Sequence, residues 1–262
     1  MMRTLRSTLI GAALIAVPLL AAAVPAHAQL YPRSEPELPS VNWSFSGLFG
    51  SFDRAAAQRG FQIYNEVCSN CHSLKEAYYR DLIGIGLSPQ QVKDVAASKR
   101  VPSTDDNGQP SERPALPSDH FRSPFPNETA ARAANNGGLP PDLSVIVKAR
   151  EGGPDYVYGI LTGFADPPAG FNLMSGLNYN LYFAGHQIAM PQPLRDGTVT
   201  YTDGTNNGLE QEARDVVTFL SYIGNPELEE RHRMGVKVVL FLLFLTGVTY
   251  TIKRRLWANV EH

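Results

Sequence analysis

Cysteine is almost absent from this chain. There are two in 262 residues, Cys68 and Cys71. So few thiols exclude the disulfide framework that staples many small exported folds. They also exclude a structural zinc site built from two paired cysteine clusters, because there is no second pair and the other histidines are scattered. An excess of one charge is missing too. Lys and Arg number 23 against 25 Asp and Glu, a formal net charge of −2. That balance gives no electrostatic ground for a nucleic-acid partner. No internal repeat is visible, so a solenoid or array is excluded.

The two cysteines that do occur stand in Cys68-Ser69-Asn70-Cys71-His72. Cys-x-x-Cys-His is the pattern of c-type haem attachment. Residues three apart lie on one face of a helical turn. Both sulfurs can therefore reach one edge of a haem and close thioethers on its two vinyl groups. The histidine that follows is the expected proximal iron ligand. A thioredoxin-like redox pair would sit after a strand in a βαβ setting, which the neighbouring sequence does not supply. With both thiols used, none remains for a disulfide.

The ends of the chain read as export and anchoring. Residues 1–28 have the form of a cleaved signal peptide. Arg3 and Arg6 precede an apolar stretch from Leu9 to Val24, and Ala26-His27-Ala28 is a small-x-small cleavage site that leaves Gln29 first. Pro18 and Pro25 argue against an uncleaved membrane helix. Export suits haem attachment, which takes place outside the bacterial cytoplasm. Near the other end, Met234 to Ile252 is long enough, at about 1.5 Å per residue, to cross a hydrocarbon core of roughly 30 Å. Lys253, Arg254, Arg255 and Trp257 mark a cytoplasmic interface. Arg231, His232 and Arg233 flank the other side, so the signal decides the orientation. The expected organisation is an extracytoplasmic haem domain over 29–230, a transmembrane helix over 234–252 and a cytoplasmic tail over 253–262 in a bacterial inner membrane.

Between the ends, Asp53 is placed to cap a helix running through Arg59, Gly60, Phe61 and Tyr64 to the cysteines. Ala213, Val216, Val217, Leu220 and Ile223 form an apolar stripe that predicts a last helix over Leu209 to Ile223. A shorter helix is expected from Pro89 to Ala97. Ser98 to Asn127, rich in Pro, Ser and charge, reads as a long surface insertion. Asp196 to Gly208, with Thr198 to Tyr201 between two Asp-Gly pairs, reads as a β-hairpin-like element. The fold class is mainly α, with long loops, a small β element and a haem filling the core.

A low-spin electron carrier needs a second axial ligand, and a thioether sulfur raises the potential. Met174, Met190 and Met234 remain after the signal, and Met234 is at the membrane. Pro191-Gln192-Pro193 can hold Met190 stiffly, whereas Met174 has no such brace. His120 and His186 are the histidine alternatives.

Several segments carry a resemblance to a known family. Ile188-Ala189-Met190-Pro191-Gln192-Pro193-Leu194 resembles the methionine-ligand segment of the cytochrome c1 family. The stretch from Ala130 through Asn135-Asn136-Gly137-Gly138-Leu139-Pro140-Pro141-Asp142 to Ser144 is similar too. So are Ile146 to Tyr156, Gly60-Phe61-Gln62-Ile63-Tyr64 and the terminal helix with its Lys-Arg end. The resemblance covers nearly the whole mature chain. It implies a class I cytochrome c-like haem domain, in which a small residue and an aromatic at Gly60 and Phe61 touch the last helix. It implies one haem c on Cys68 and Cys71, with His72 and Met190 as axial ligands. It implies Arg150 on a haem propionate with Tyr156 beside it, and Asn135 and Pro141 lining the pocket. On its own, Arg150 reads as a solvated surface charge.

The same resemblance implies the haem subunit of the cytochrome bc1 complex. Such a subunit takes an electron from the Rieske iron–sulfur protein and gives it to a soluble or membrane-tethered cytochrome c. Cytochrome b, membrane lipid and a dimeric complex are the implied surroundings. The alternative carrier is a membrane-anchored cytochrome c subunit of a terminal oxidase or nitric oxide reductase. A haem enzyme or gas sensor with an open iron position is the other class. The extra disulfide of some bacterial family members cannot form here. A basic cytochrome c would meet an acidic face, for which Glu66, Asp105, Asp106, Asp119, Glu128, Asp166, Asp203, Glu210 and Glu212 are candidates.

Overall fold

A computed structural model of the chain describes residues 36–259; the expected signal peptide over 1–28, the start of the expected haem domain over 29–35 and the last three residues of the expected tail lie outside the described residues. Among the described residues the helices are α1 (Arg54–Glu66), α2 (Pro89–Ala97), α3 (Glu128–Ala134), α4 (Gly153–Thr162), α5 (Leu209–Gly224) and α6 (Leu228–Leu256). The strands are β1 (Arg100–Thr104), β2 (Pro110–Pro114), β3 (Asn178–Tyr179) and β4 (Gln187–Ile188). The architecture is mainly helical with two small two-stranded sheets.

The core forms where the first and penultimate helices cross. Asp53 Oδ1 accepts a hydrogen bond from the Ala56 amide at 3.0 Å, which satisfies one of the donors left open at the start of α1. Gly60 then lets α5 approach closely. A Cβ at this position would run into the Asp215 carbonyl and lie 2.8 Å from Phe219 Cβ. Phe61 and Tyr64, one and four residues further on, lay their rings 5.6 and 5.8 Å from that of Phe219. On α5, Ala213, Val216, Val217, Leu220 and Ile223 are all buried, the stripe predicted from spacing. Arg59 grips Asp215 with Nε and Nη2 at 2.8 and 2.9 Å. Asp215 is wholly buried, and a two-pronged guanidinium is the partner that offsets its desolvation.

α2 matches its predicted bounds. Ser88 Oγ accepts from the Gln91 amide and Gln91 Oε1 accepts from the Ser88 amide, at 3.2 and 2.8 Å. This reciprocal cap, with Pro89 in the first turn, fixes the start of the helix.

One loop expectation is refined and another corrected. Residues 98–127, the expected surface insertion, hold a hairpin and part of the core. β1 and β2 pair antiparallel, with Arg100 opposite Pro114 and Thr104 opposite Pro110. Their turn is held by Asp105 Oδ1, which accepts from the Asn107 and Gln109 amides at 2.9 and 2.8 Å. Pro102, Pro110 and Pro114 are tolerated because each strand of a two-stranded ribbon is an edge. Val101, Ala115 and Phe121 reach the core, and Phe121 stacks on Tyr79 at 4.5 Å. Conversely, 196–208 contains no strand. The Val199 amide donates to Glu212 Oε1 at 2.8 Å, and Asn207 Nδ2 donates to the Val199 carbonyl at 2.9 Å. Side chains satisfy the backbone groups that a strand partner would otherwise take.

α6 begins at Leu228, ahead of the apolar run, and is long and apolar enough to cross a membrane. Its apolar side chains are exposed from Val236 to Ile252, whereas a helix of a soluble domain buries one face. Its first turns dock on the helical domain. Glu229 accepts from the Phe52 amide at 2.9 Å and pairs with Arg54 Nη2 at 2.8 Å.

Candidate haem site

The pentapeptide is one tight turn closing α1. The Cys71 and His72 amides both donate to the Cys68 carbonyl, at 3.1 and 2.8 Å. Ser69 Oγ and Asn70 Nδ2 donate to the Asn65 and Glu66 carbonyls at 2.8 and 3.0 Å, which satisfies acceptors left open at the end of α1. Both cysteines are unbridged and half-buried. Burial pushes the Cys68 thiol up to about 12. A redox or metal-binding thiolate requires the opposite shift. A thiol that keeps its proton fits thioether formation, in which sulfur and hydrogen both add across a vinyl group.

His72 is oriented by a residue far along the chain. Its Nδ1 lies 2.8 Å from the Pro141 carbonyl oxygen. That distance assigns the proton to Nδ1 and leaves Nε2 bare, the arrangement of a metal-ligating histidine. Burial lowers its proton affinity further than the Pro141 carbonyl and Asp142 raise it. The neutral, ligating ring is therefore favoured. Tyr64, almost wholly buried, donates its hydroxyl to the His72 carbonyl at 3.2 Å.

Asp142 locks this contact, and sequence reasoning assigned it no role. Its Oδ2 accepts from Ser73 Oγ at 2.7 Å and from the Lys75 amide at 2.9 Å, and its Oδ1 from the Ser144 amide at 2.9 Å. The Leu143 amide adds a bond to the Ser73 carbonyl at 2.9 Å. Burial works to raise the Asp142 carboxyl, but hydrogen bonds from Ser144, the Lys75 amide and Ser73 outweigh it and hold the group below its ordinary range. The local signal for such a clasp was Asp142-x-Ser144, an Asx turn.

The candidates for the second axial ligand lie in different surroundings. Met190 is half-buried, and its carbonyl accepts from Asn178 Nδ2 at 3.3 Å. The paired β3 and β4 precede it, and the wholly buried Leu194 follows. Met174 is 58% exposed. His120 is exposed and stacks on Tyr78 at 3.9 Å. His186 sits 5.6 Å from the Tyr179 ring with a left-handed φ of 57°. Gly138 is close to the methionine loop, since a Cβ there would lie 3.1 Å from Ala189 Cβ. The segment Asn135 to Pro141 thus touches His72 through Pro141 and the neighbour of Met190 through Gly138. Asn135 ends α3, with Nδ2 donating to the Ala131 carbonyl at 2.7 Å, and Asn136 and Gly137 turn the chain at φ values of 50° and 85°.

Arg150 precedes α4, and Tyr156 lies in its first turns. Arg150 is exposed, and its Nη1 donates to the Ala149 carbonyl at 3.1 Å. Tyr156 packs against the core beside Gly152. The acidic candidates sort by structure as well. Glu212 is wholly buried, Asp119 is held by Arg113 at 2.6 Å and Asp203 by Arg59 at 2.9 Å. Glu66, Asp105, Asp106, Glu128, Asp166 and Glu210 remain exposed.

These residues fit a haem: two unbridged cysteines and a tautomer-fixed histidine lie on one turn, facing a segment that leads towards Met190. A first helix that ends in this turn and crosses the domain's last helix at a glycine defines a c-type cytochrome. The chain belongs to the cytochrome c1 family, whose model it matches over residues 43–260, and that family carries a c-type haem. It is 43% identical over 244 residues to cytochrome c1 of Rhodospirillum rubrum, covering 86% of this chain and 89% of that protein. It is 46% identical over 225 residues to the mitochondrial cytochrome c1 heme protein of Saccharomyces cerevisiae, covering 85% of this chain and 73% of that protein. A Bradyrhizobium diazoefficiens protein named cytochrome b/c1 is 44% identical over 244 residues, covering 84% of this chain and 36% of that protein.

Proposed function

We propose that this chain is the electron-transfer haem subunit of the cytochrome bc1 complex, the quinol–cytochrome c oxidoreductase. It accepts an electron from the Rieske iron–sulfur protein and passes it to cytochrome c. The observation that carries the reading is the His72 Nδ1 contact with Pro141, 2.8 Å long, in a chain of this family. One haem c, held through Cys68 and Cys71, supplies one-electron redox chemistry when bound. His72 Nε2 and Met190 Sδ would hold its iron. With both in place, no position would be left for a gas or a substrate, which makes the chain a carrier and not an oxidase. Arg150 is the cation for a propionate, with Tyr156 beside it, and Asn135 and Pro141 line the pocket.

Relatives named cytochrome b/c1 and cytochrome b-c1 complex catalytic subunit support cytochrome b as a neighbour. The complex is dimeric and set in membrane lipid. After loss of residues 1–28, α6 is this chain's single span in a bacterial inner membrane, with the haem domain periplasmic and the tail after Ile252 cytoplasmic. The test is purification from detergent-solubilised membranes by a tag on this chain. Haem b, a Rieske protein and quinol-driven reduction of cytochrome c are the expected companions. Co-purification of a terminal oxidase or nitric oxide reductase without haem b-containing quinol oxidation would overturn the assignment.

A further inference from the structure

We propose that Leu48 and Phe49 form a second, shallow membrane contact, dipping into the edge of the same bilayer that α6 spans. The inference rests on the reading of α6 as a membrane helix.

The loop from Trp43 to Phe52 is stiff at its base. Trp43, Phe45 and Phe52 are buried, with rings 5.5 Å apart for Trp43 and Phe45 and 5.1 Å apart for Phe45 and Phe52. Two turns close it, with the Ser46 amide donating to the Trp43 carbonyl at 3.1 Å and the Gly50 amide to the Gly47 carbonyl at 3.3 Å. The second turn carries two large apolar side chains at its tip: Leu48 is 66% and Phe49 80% exposed. A rigid aromatic base that presents its most exposed apolar pair at the tip suits insertion into an apolar phase.

The position of the tip selects the phase. His232 Nδ1 lies 3.1 Å from the Gly50 carbonyl, and Glu229 holds the Phe52 amide at 2.9 Å. Both partners belong to the first turns of α6. Met234, where the apolar run begins, follows His232 by two residues, about 3 Å along the axis. The loop is therefore tied to α6 at the level where Arg231 and Arg233 give way to apolar side chains. Arginines at that level reach the headgroups. A lipid surface is already present there, and the tip is continuous with the span. A single helix leaves rotation about its own axis open; a contact beside it fixes which way the haem domain faces.

The test uses the full-length, haem-loaded chain in phosphatidylcholine–phosphatidylglycerol vesicles. Nitroxide labels are placed singly at Phe49→Cys, at Leu242→Cys within α6 and at Asp106→Cys on the β1–β2 turn. The unsubstituted chain, labelled in parallel, reads any thiol that haem has not consumed. Collision with oxygen, which partitions into lipid, is compared with collision with a water-soluble nickel chelate. The oxygen-to-nickel ratio at position 49 should be several-fold that at 106 and approach that at 242. A ratio at 49 equal to that at 106, with 242 still in lipid, would overturn the inference and leave the span. Shielding of 49 from both reagents would show a second copy covering the tip and would overturn it too. A water-like ratio at 242 would remove the span itself, and the inference with it.

Discussion

His72 Nδ1 and the Pro141 carbonyl oxygen lie 2.8 Å apart, and the carboxylate of the next residue, Asp142, ties together the two segments that carry them. Replacing that carboxylate should loosen the histidine before it harms the rest of the fold. Asp142→Ala leaves Ser73 Oγ and the Lys75 and Ser144 amides without their acceptor, at a cost of about 1–3 kcal/mol. The denaturation midpoint should fall and the reduction potential should shift, because the ring loses its fixed orientation. Asp142→Asn, which keeps one acceptor, should lose less on both measurements. An unchanged midpoint and potential in the alanine variant would show that the clasp is idle.

Met190→Leu should leave the haem attached, since the thioethers do not depend on the sixth ligand. The potential should drop by an amount on the order of hundreds of millivolts, the scale on which axial ligands act. Carbon monoxide should then bind the ferrous protein. A variant with wild-type potential that excludes carbon monoxide would return the role to Met174, His120 or His186.

Gly60→Ala tests the helix crossing. Alanine favours an isolated helix over glycine by about 1 kcal/mol. Here the new methyl meets the Asp215 carbonyl and Phe219, and overpacking of this kind costs about 1–3 kcal/mol. Thermal unfolding of the haem-loaded protein should show a net loss. A higher melting temperature would mean that α5 can move away without cost.

Acid should open the β1–β2 hairpin at its base. The Arg113 guanidinium and the Leu116 amide hydrogen-bond Asp119 and bring its carboxyl down to about 2. The folded form thus binds this proton more weakly than the unfolded chain. The stabilisation is complete above about pH 4, where the unfolded group is ionised, and is lost as pH falls through the folded value. Amide exchange at Leu116 should accelerate below that point, and Asp119→Asn should show fast exchange at neutral pH. Slow exchange at every pH in the asparagine variant would assign the hairpin's stability to Val101 and Ala115 instead.

What the chain made legible was local. The start of α1 at Asp53, the Ser88–Gln91 cap of α2 and the stripe on α5 each lie within one element, so spacing alone exposed them. The Asp142 clasp joins residues 73–75 to 142–144, a pairing that no short window contains. The hairpin in 98–127 escaped because three prolines argue against strands, a rule that binds only where both edges are paired. Thr198 to Tyr201 looked like a strand because nothing nearby in sequence indicates that Glu212 and Asn207 would take its backbone bonds. The early start of α6 was hidden because Glu229 and His232 look like a polar flank until Phe52 and Gly50 are seen to bind them.

The crossing of α1 with α5 also sets an order of events. If the chain is exported as proposed, N-terminus first, Cys68 and Cys71 would reach the outside well before residues 209–224. Until α5 arrives, Gly60, Phe61 and Tyr64 have nothing to close against. The turn that carries the thiols is then supported only by its own helix. The interval between the two arrivals is when both sulfurs are most accessible to an attachment apparatus. Once Phe219 and Asp215 seat, Cys68 packs against the core. A chain that folded early without haem would already hold Cys68 half-buried against that core.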